Sequence, residues 1–147
     1  MATVVSVNIS EKKGTVKKPV DSIEVKKDHG IVGDAHAENW HRQISLLADE
    51  SIEKMRSRMP QVSLLPGVFA ENITTQGISL FTLPIGTRLK VGDTLLEITQ
   101  IGKECHMGCE IRTITGDCVM PREGVFAVVV EEGAIKPGDS IALIEEA

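Results

Sequence analysis

The sequence has few aromatic residues and no excess of positive charge. Only 3% of its 147 residues are aromatic, with one Trp, three Phe and no Tyr. Sixteen Lys and Arg residues stand against 21 Asp and Glu residues, which gives a formal net charge of −5. A nucleic-acid-binding domain is usually basic overall, and a single-strand binder stacks bases on several aromatic rings. The composition therefore argues against a dedicated nucleic-acid-binding protein.

Long apolar runs are also missing. No stretch approaches the roughly 20 apolar residues that cross a bilayer as a helix. The first ten residues, MATVVSVNIS, contain no basic residue, so they do not resemble a secretory signal. Apolar residues still make up 41% of the chain and charged residues 25%, which suffices for one buried core. We expect a single cytoplasmic domain over residues 1–147, with no membrane partner.

Cysteines are scarce and unevenly placed. The three cysteines are Cys105, Cys109 and Cys118, an odd number within one short stretch. A secreted disulfide framework usually has an even, distributed set. We therefore expect reduced thiols that are available for chemistry or for metal binding.

Short segments rich in β-branched residues predict a mostly β domain. They lie at residues 3–8, 42–47, 68–73, 78–83, 88–91, 94–101, 125–130 and 140–144, and glycines separate most of them. Many short strands at regular spacing are typical of a barrel or a closed sandwich. We predict a closed or partly open β-barrel with a few short helices.

One helix is predicted at residues 49–59. Ile52, Met55 and Met59 recur at spacings of three and four, acidic residues come first and basic residues last. This order suits the helix dipole, and Pro60 helps to end the helix. The two methionines are interpreted as core residues rather than as metal ligands.

The densest reactive cluster is GKECHMGC at residues 102–109. Lys103 and His106 flank Cys105, and nearby cations lower the pKa of a thiol, as a nucleophile or a sulfur carrier requires. Glu104 opposes that shift. A free cysteine is also often buried and inert. The residues alone therefore favour a reactive Cys105 and a structural Cys105 about equally.

A zinc site is the competing interpretation of the same cysteines. Cys105, Cys109 and Cys118 with one histidine would supply four tetrahedral ligands. The spacing matches the paired cysteines of a zinc ribbon only loosely, so we place this interpretation below the nucleophile.

Two further clusters carry polar residues in glycine-rich surroundings. The first is DHGIVGDAH at residues 28–36, followed by HRQ at 41–43, and the second is PGVFAEN at residues 66–72. Histidine and asparagine can hydrogen-bond a heterocycle, and arginine can bind a phosphate. Ordinary surface histidines and a capped turn would give the same pattern.

Taken in order, these clusters resemble the MOSC domain family, named for the C-terminal domain of molybdenum cofactor sulfurase. The matching stretches are GIVGDAH (30–36), HRQISLL (41–47), PGVFAENIT (66–74), LPIGTRLKVGDTLL (83–96) and the region around Cys105.

The resemblance implies a β-barrel with a groove for the pterin-based molybdenum cofactor. It places Cys105 as the cysteine that carries persulfide sulfur or ligates molybdenum, with Lys103 and His106 tuning the thiol. The residues expected to bind the cofactor are Gly33, Asp34, His36, His41, Arg42 and Asn72.

Several functions fit this resemblance. The leading hypothesis is binding of the cofactor or its pterin precursor, with sulfur carried or transferred through Cys105. The alternatives are a molybdenum-dependent reductase component for N-hydroxylated compounds, a non-catalytic cofactor carrier and, as an outsider, a structural zinc domain. The partner would accordingly be a sulfur donor, an electron donor or a molybdoenzyme apoprotein.

Overall fold

The computed structural model describes residues 2–11, 16–35, 37–58, 66–67, 69–102 and 123–144. In chain order the elements are β1 (Ala2–Ile9), β2 (Lys18–Val20), β3 (Ile23–Lys26), β4 (Gly30–Ile31), β5 (Ile44–Ala48), α1 (Asp49–Arg58), β6 (Ile73–Gln76), a 3₁₀ turn (Leu80–Thr82), β7 (Arg88–Val91), β8 (Thr94–Ile101), β9 (Val125–Glu131), β10 (Gly133–Ile135) and β11 (Ser140–Ile144).

Seven of these strands close into a barrel, which confirms the predicted fold class. Their order is β1-β11-β7-β8-β9-β5-β6 and back to β1. Closure depends on the pairing of β1 with β11, where Ala2 lies opposite Ile141 and Thr3 opposite Ser140. Alternate residues face inward, so that Leu96 and Ile98 of β8 are buried while their neighbours are partly exposed. This period of two matches the side-chain alternation of a strand.

Among the strands that the structure describes, β5 and β6 form the one parallel pair, and α1 lies between them in the chain. Parallel neighbours need a crossover connection, commonly a helix. Ile52 and Met55 of α1 are almost fully buried, which confirms the predicted helix and the core interpretation of Met55. Among the helices in the described ranges, none has the length and apolar character that crossing a membrane requires.

A second, three-stranded sheet in the order β10-β3-β4 covers part of the barrel. Its inward side chains Ile23, Val25, Ile31 and Ile135 belong to the same hydrophobic core as the barrel strands. The glycine-rich cluster at residues 28–36 therefore contains a short buried strand, β4.

Two predicted strands are wrong. Residues 69–72 precede β6 without strand structure, because Gly67 and Ala70 have φ values of 91° and 64°, which a strand does not accept. Residues 78–83 contain the 3₁₀ turn instead, with Leu80 buried. Its apolar residues suit either structure, so their pattern could not separate the two.

Candidate functional site

Two segments distant in sequence meet where β8 ends. The Nε2 atom of His41 lies 2.8 Å from Oε1 of Gln100. The Nε2 atom of Gln100 in turn donates to the carbonyl oxygen of Gly102 at 2.8 Å. Since the Gln100 oxygen is thereby directed at His41, we infer that His41 Nε2 carries the proton and leaves Nδ1 as an acceptor in the neutral ring.

Arg42 lies beside this contact, against two aromatic rings. Its guanidinium carbon is 4.5 Å from the ring centre of Trp40 and 5.6 Å from that of Phe126. The Nε atom of Arg42 is buried and has no hydrogen-bond partner. We call Trp40, His41, Arg42, Gln100 and Phe126 the Arg42 cluster.

Neighbouring strands fix the backbone of the Arg42 cluster. The Thr99 hydroxyl of β8 donates to the carbonyl oxygen of His41. The Gln43 side chain accepts a hydrogen bond from the backbone N–H of Val129 at 3.0 Å, so it extends the pairing of β5 with β9 by one more link. Gly30 packs on the Gln43 backbone, and a Cβ atom at position 30 would lie 2.8 Å from the backbone carbonyl oxygen of Gln43. Arg42 is therefore held on a rigid part of the barrel.

Asp34 lies in a buried ion pair. Its Oδ1 atom is 2.7 Å from Nζ of Lys17, and both side chains are fully buried. The same oxygen accepts a hydrogen bond from the Ser10 backbone N–H at 3.1 Å. Gly33, next to it, is exposed with φ 87° and open space around the position of a Cβ atom. The structure thus gives Asp34 a role in tying together two loops, while its cofactor role stays a prediction.

Asn72 belongs to a buried polar network. Its side-chain oxygen accepts hydrogen bonds from the backbone N–H and the hydroxyl of Ser45, at 3.0 and 3.2 Å. Its side-chain nitrogen donates to the Asn8 carbonyl oxygen at 3.1 Å. Both polar atoms therefore bind within the protein, and Asn72 is 1% exposed. Its predicted contact with a heterocycle would require these bonds to be exchanged.

Glu71 completes the network as a buried carboxyl group. It accepts hydrogen bonds from the Thr74 hydroxyl at 2.8 Å and from the Phe69 backbone N–H at 3.3 Å. Burial raises the pKa of Glu71 above its ordinary range, although these hydrogen bonds act in the opposite direction. Glu71 is not among the site residues predicted from the sequence.

Four predicted site residues, Lys103, Cys105, His106 and His36, lie outside the described residues. Of the others, His41 and Arg42 are adjacent in the chain and both belong to the Arg42 cluster, whereas the bonds described for Asp34 and Asn72 involve other partners. Within the described ranges, no group of three or more His, Cys, Asp or Glu side chains is arranged to hold a metal ion.

The family assignment rests on comparison with known proteins. A model of the MOSC domain matches residues 33–142, well over half of the chain. The chain belongs to the MOSC domain family. This confirms the resemblance, and MOSC domains are associated with the molybdenum cofactor. A comparison with curated proteins gave no match.

Solved structures confirm the MOSC domain's fold. The YuaD protein from Bacillus subtilis is 20% identical with a TM-score of 0.78, covering 96% of this chain and 94% of that one. YiiM from Geobacillus stearothermophilus is 21% identical with a TM-score of 0.76, covering 99% and 76%. YiiM from Escherichia coli is 16% identical with a TM-score of 0.74, covering 100% and 71%. At these identities the likeness concerns the fold alone.

Sequence reasoning missed three members of the Arg42 cluster in this MOSC domain. Trp40 is the single tryptophan and directly precedes His41 and Arg42, a signal that was available. Gln100 and Phe126 gave no such signal. They come together through the pairing of β8 with β9, which shifts register between Ile98 and Gln100.

Proposed function

We propose that this MOSC domain binds the molybdenum cofactor or its pterin precursor, and carries or transfers sulfur through Cys105. The observation that carries the proposal is the hydrogen bond from His41 to Gln100, which continues to Gly102. It joins the HRQ motif to the strand that leads into the cysteine cluster, and Cys105 follows Gly102 by three residues. The HRQ motif therefore contacts the strand that precedes the Cys105 region in the chain.

The described residues fit the chemistry of the cofactor. Arg42 has a buried N–H group without a partner, and a guanidinium group matches the oxygens of a phosphate. His41 is exposed and offers Nδ1 to a heterocycle edge. Gly33, with open space around it, allows a ligand to approach the backbone closely. In this proposal Asp34 and Asn72 keep their own loops in place through their buried bonds.

The sulfur chemistry belongs to Cys105. In the proposed step its thiolate attacks the outer sulfur of a donor protein's persulfide. A new S–S bond forms on Cys105 and the donor's S–S bond breaks. The donor leaves as a thiolate, so no external oxidant or reductant is needed. Lys103 and His106 would keep the Cys105 thiol ionised. The molybdenum cofactor, when bound, would supply redox chemistry at its metal.

Three other functions predict different behaviour of the same protein. A reductase component for N-hydroxylated compounds would turn over its substrate when given an electron donor. A non-catalytic carrier would bind the cofactor stoichiometrically without turnover and hand it to an apoenzyme. A structural zinc domain would contain one zinc ion per chain with its thiols blocked.

The deciding experiment is elemental analysis with release of the pterin. The protein is purified from a host that makes the molybdenum cofactor, as wild type, Cys105→Ala and the matched control Cys109→Ala. We expect molybdenum and pterin near one per chain in the wild type and the control, and loss of molybdenum in Cys105→Ala. A zinc ion in their place would overturn the proposal. Equal sulfur transfer by Cys105→Ser and wild type would remove Cys105 from the mechanism.

A further inference from the structure

We propose that an apolar groove beside the end of β11 docks an extended segment of the protein that exchanges sulfur with Cys105. We call Leu83, Ile85, Leu143 and Ile144 the β11 groove. The inference rests on the proposed function for the identity of that protein, whereas the surface itself consists of described residues.

The first argument is the concentration of exposed apolar surface in the β11 groove. Its cavity measures about 420 Å³, and of the eight described residues that line it only Arg88 is charged. Arg88 pairs with Glu97 at 3.1 Å. Five large apolar side chains of the described ranges are exposed, and three of them line this groove: Ile85 at 64%, Leu143 at 48% and Ile144 at 38%. A cluster of this kind marks an interaction site, whereas single exposed apolar residues are ordinary.

The second argument is an open strand edge in the β11 groove. Along a strand, the N–H and C=O groups of alternate residues point to opposite sides. The Asp139 carbonyl oxygen accepts from the Val4 N–H on the β1 side, so the backbone groups of Leu143 point to that side too. β1 pairs with β11 only up to Ile141. Among the described residues no strand pairs with Leu143 on this side, and an edge of this kind accepts an added strand.

The third argument concerns the size of the occupant. Eight residues line the groove, whereas a stable interface between two proteins uses about 20–30 residues on each side. A second copy of the chain would need far more surface than the groove offers. A short extended segment with apolar side chains at alternate positions matches both the apolar surface and the strand edge. Small interfaces are typical of transient encounters, and sulfur exchange requires one.

The fourth argument is the place of the groove on the barrel. The Gly86 N–H donates to the Ile98 carbonyl oxygen at 2.8 Å, and the Ile98 N–H donates to the Thr87 carbonyl oxygen at 2.9 Å. These bonds lay the rim of the groove along the last part of β8. Gly102 follows β8, and Cys105 comes three residues later. A segment docked in the groove therefore lies at the end of the barrel from which the chain continues to Cys105.

The binding test uses the full chain and the fluorescein-labelled peptide Lys-Thr-Val-Thr-Val-Thr as the probe, followed by fluorescence polarisation. We expect saturable binding to the wild type, weakened at least tenfold in Leu143→Lys and in Ile85→Lys, because a lysine on a strand edge opposes pairing. Val32→Lys is the matched control, since Val32 is 45% exposed and does not line the groove. Its affinity for the peptide should equal that of the wild type.

A second peptide, methylated at two adjacent backbone nitrogens, lacks a donor on either of its edges and should bind at least tenfold more weakly. The inference would be overturned by a wild type without saturable binding, by equal binding to Leu143→Lys, or by undiminished binding of the methylated peptide. A wild-type dimer that Leu143→Lys separates in sedimentation velocity would overturn it as well, because a second copy would then occupy the groove. Circular dichroism establishes that the variants are folded, and Ile85→Lys keeps the test valid if Leu143→Lys does not fold.

Sulfur transfer separates this inference from the proposed function. The peptide is linked through a flexible glycine-serine linker to a persulfidated cysteine, whose outer sulfur the Cys105 thiolate attacks while the peptide leaves as a thiolate. We expect Leu143→Lys to raise KM for this donor at least tenfold with kcat unchanged, and to accept sulfur from free cysteine persulfide as the wild type does. A general structural defect would slow both donors. An unchanged KM would overturn only the inference, and a Cys105 that accepts sulfur from neither donor in a peptide-binding protein would overturn only the proposed function.

Discussion

At the scale of single residues, Glu71 couples stability to pH. Its pKa is raised by burial, so the folded state holds the proton more tightly than the unfolded chain. This stabilisation is complete below the unfolded pKa of about 4.3 and is lost as the pH rises through the folded pKa. Glu71→Gln carries no charge at any pH. We therefore expect the variant to gain stability relative to the wild type as the pH rises.

Chemical denaturation of both proteins at several pH values measures this difference. Glu71→Gln also removes a hydrogen-bond acceptor, which changes the free energy of unfolding by the same amount at every pH. The two proteins are therefore compared by the slope of the free energy of unfolding against pH. Glu24→Gln, at an exposed position of β3, serves as the control and should leave the slope unchanged. Parallel curves for wild type and Glu71→Gln would refute the prediction.

Gly67 shows how a single backbone position can decide local structure. It has φ 91°, and a Cβ atom there would overlap the carbonyl oxygen of Lys17. Gly86 has a similar φ of 95° with open space around it. Gly86→Ala should therefore cost only the backbone strain of about 1–2 kcal/mol. Gly67→Ala should cost clearly more, because the Lys17 backbone must also move. Thermal unfolding of the two variants tests this, and equal losses would contradict it.

At the scale of elements, the Lys17–Asp34 pair joins the loop after β4 to the segment before β2. Both charges are fully buried at 2.7 Å. Removing one partner takes the ion pair away from a buried charge, at a cost of about 3–5 kcal/mol. We expect this loss of unfolding free energy in Asp34→Leu, and recovery of at least half of it in the double variant Lys17→Met/Asp34→Leu.

Denaturant unfolding measures both variants beside Glu53→Ala, which breaks the exposed pair with Arg56. That control should change stability by only about 0.5 kcal/mol, as surface pairs do. A double variant no more stable than Asp34→Leu would show that the cost arises from packing rather than from the buried charge of Lys17.

The same elements show what the sequence could and could not predict. Strands 88–91, 94–101 and 140–144 were predicted with their observed bounds, because apolar and β-branched residues there stand between glycine turns. The environments of Asp34 and Asn72 were not predictable. Their partners Lys17 and Ser45 lie 17 and 27 residues away, and only the closed barrel brings them together. The polar residue types that bind cofactors are the same types that form hydrogen bonds with buried backbone groups. Residue type alone therefore does not separate the two roles.

At the scale of the whole molecule, the Arg42 cluster is part of the barrel rather than a loop attached to it. Thr99 of β8 binds the His41 backbone, and Gln43 binds Val129 of β9. Phe126 of β9 packs against Arg42 and is 6% exposed. Opening the cluster would therefore break contacts with the two strands that form the most extensive pairing of the barrel.

This connection predicts that the site and the barrel unfold together. Trp40 fluorescence reports on the cluster, and far-ultraviolet circular dichroism reports on the strands. For a two-state domain the two probes give the same midpoint in denaturant. Phosphate should then raise both midpoints equally in the wild type, because a ligand that binds only the folded state stabilises it as a whole. In Arg42→Gln the midpoints should coincide without responding to phosphate. If the fluorescence transition came before the loss of the circular dichroism signal, the cluster would open as a separate local unit. The barrel strands would then not be what holds the Arg42 side chain in place.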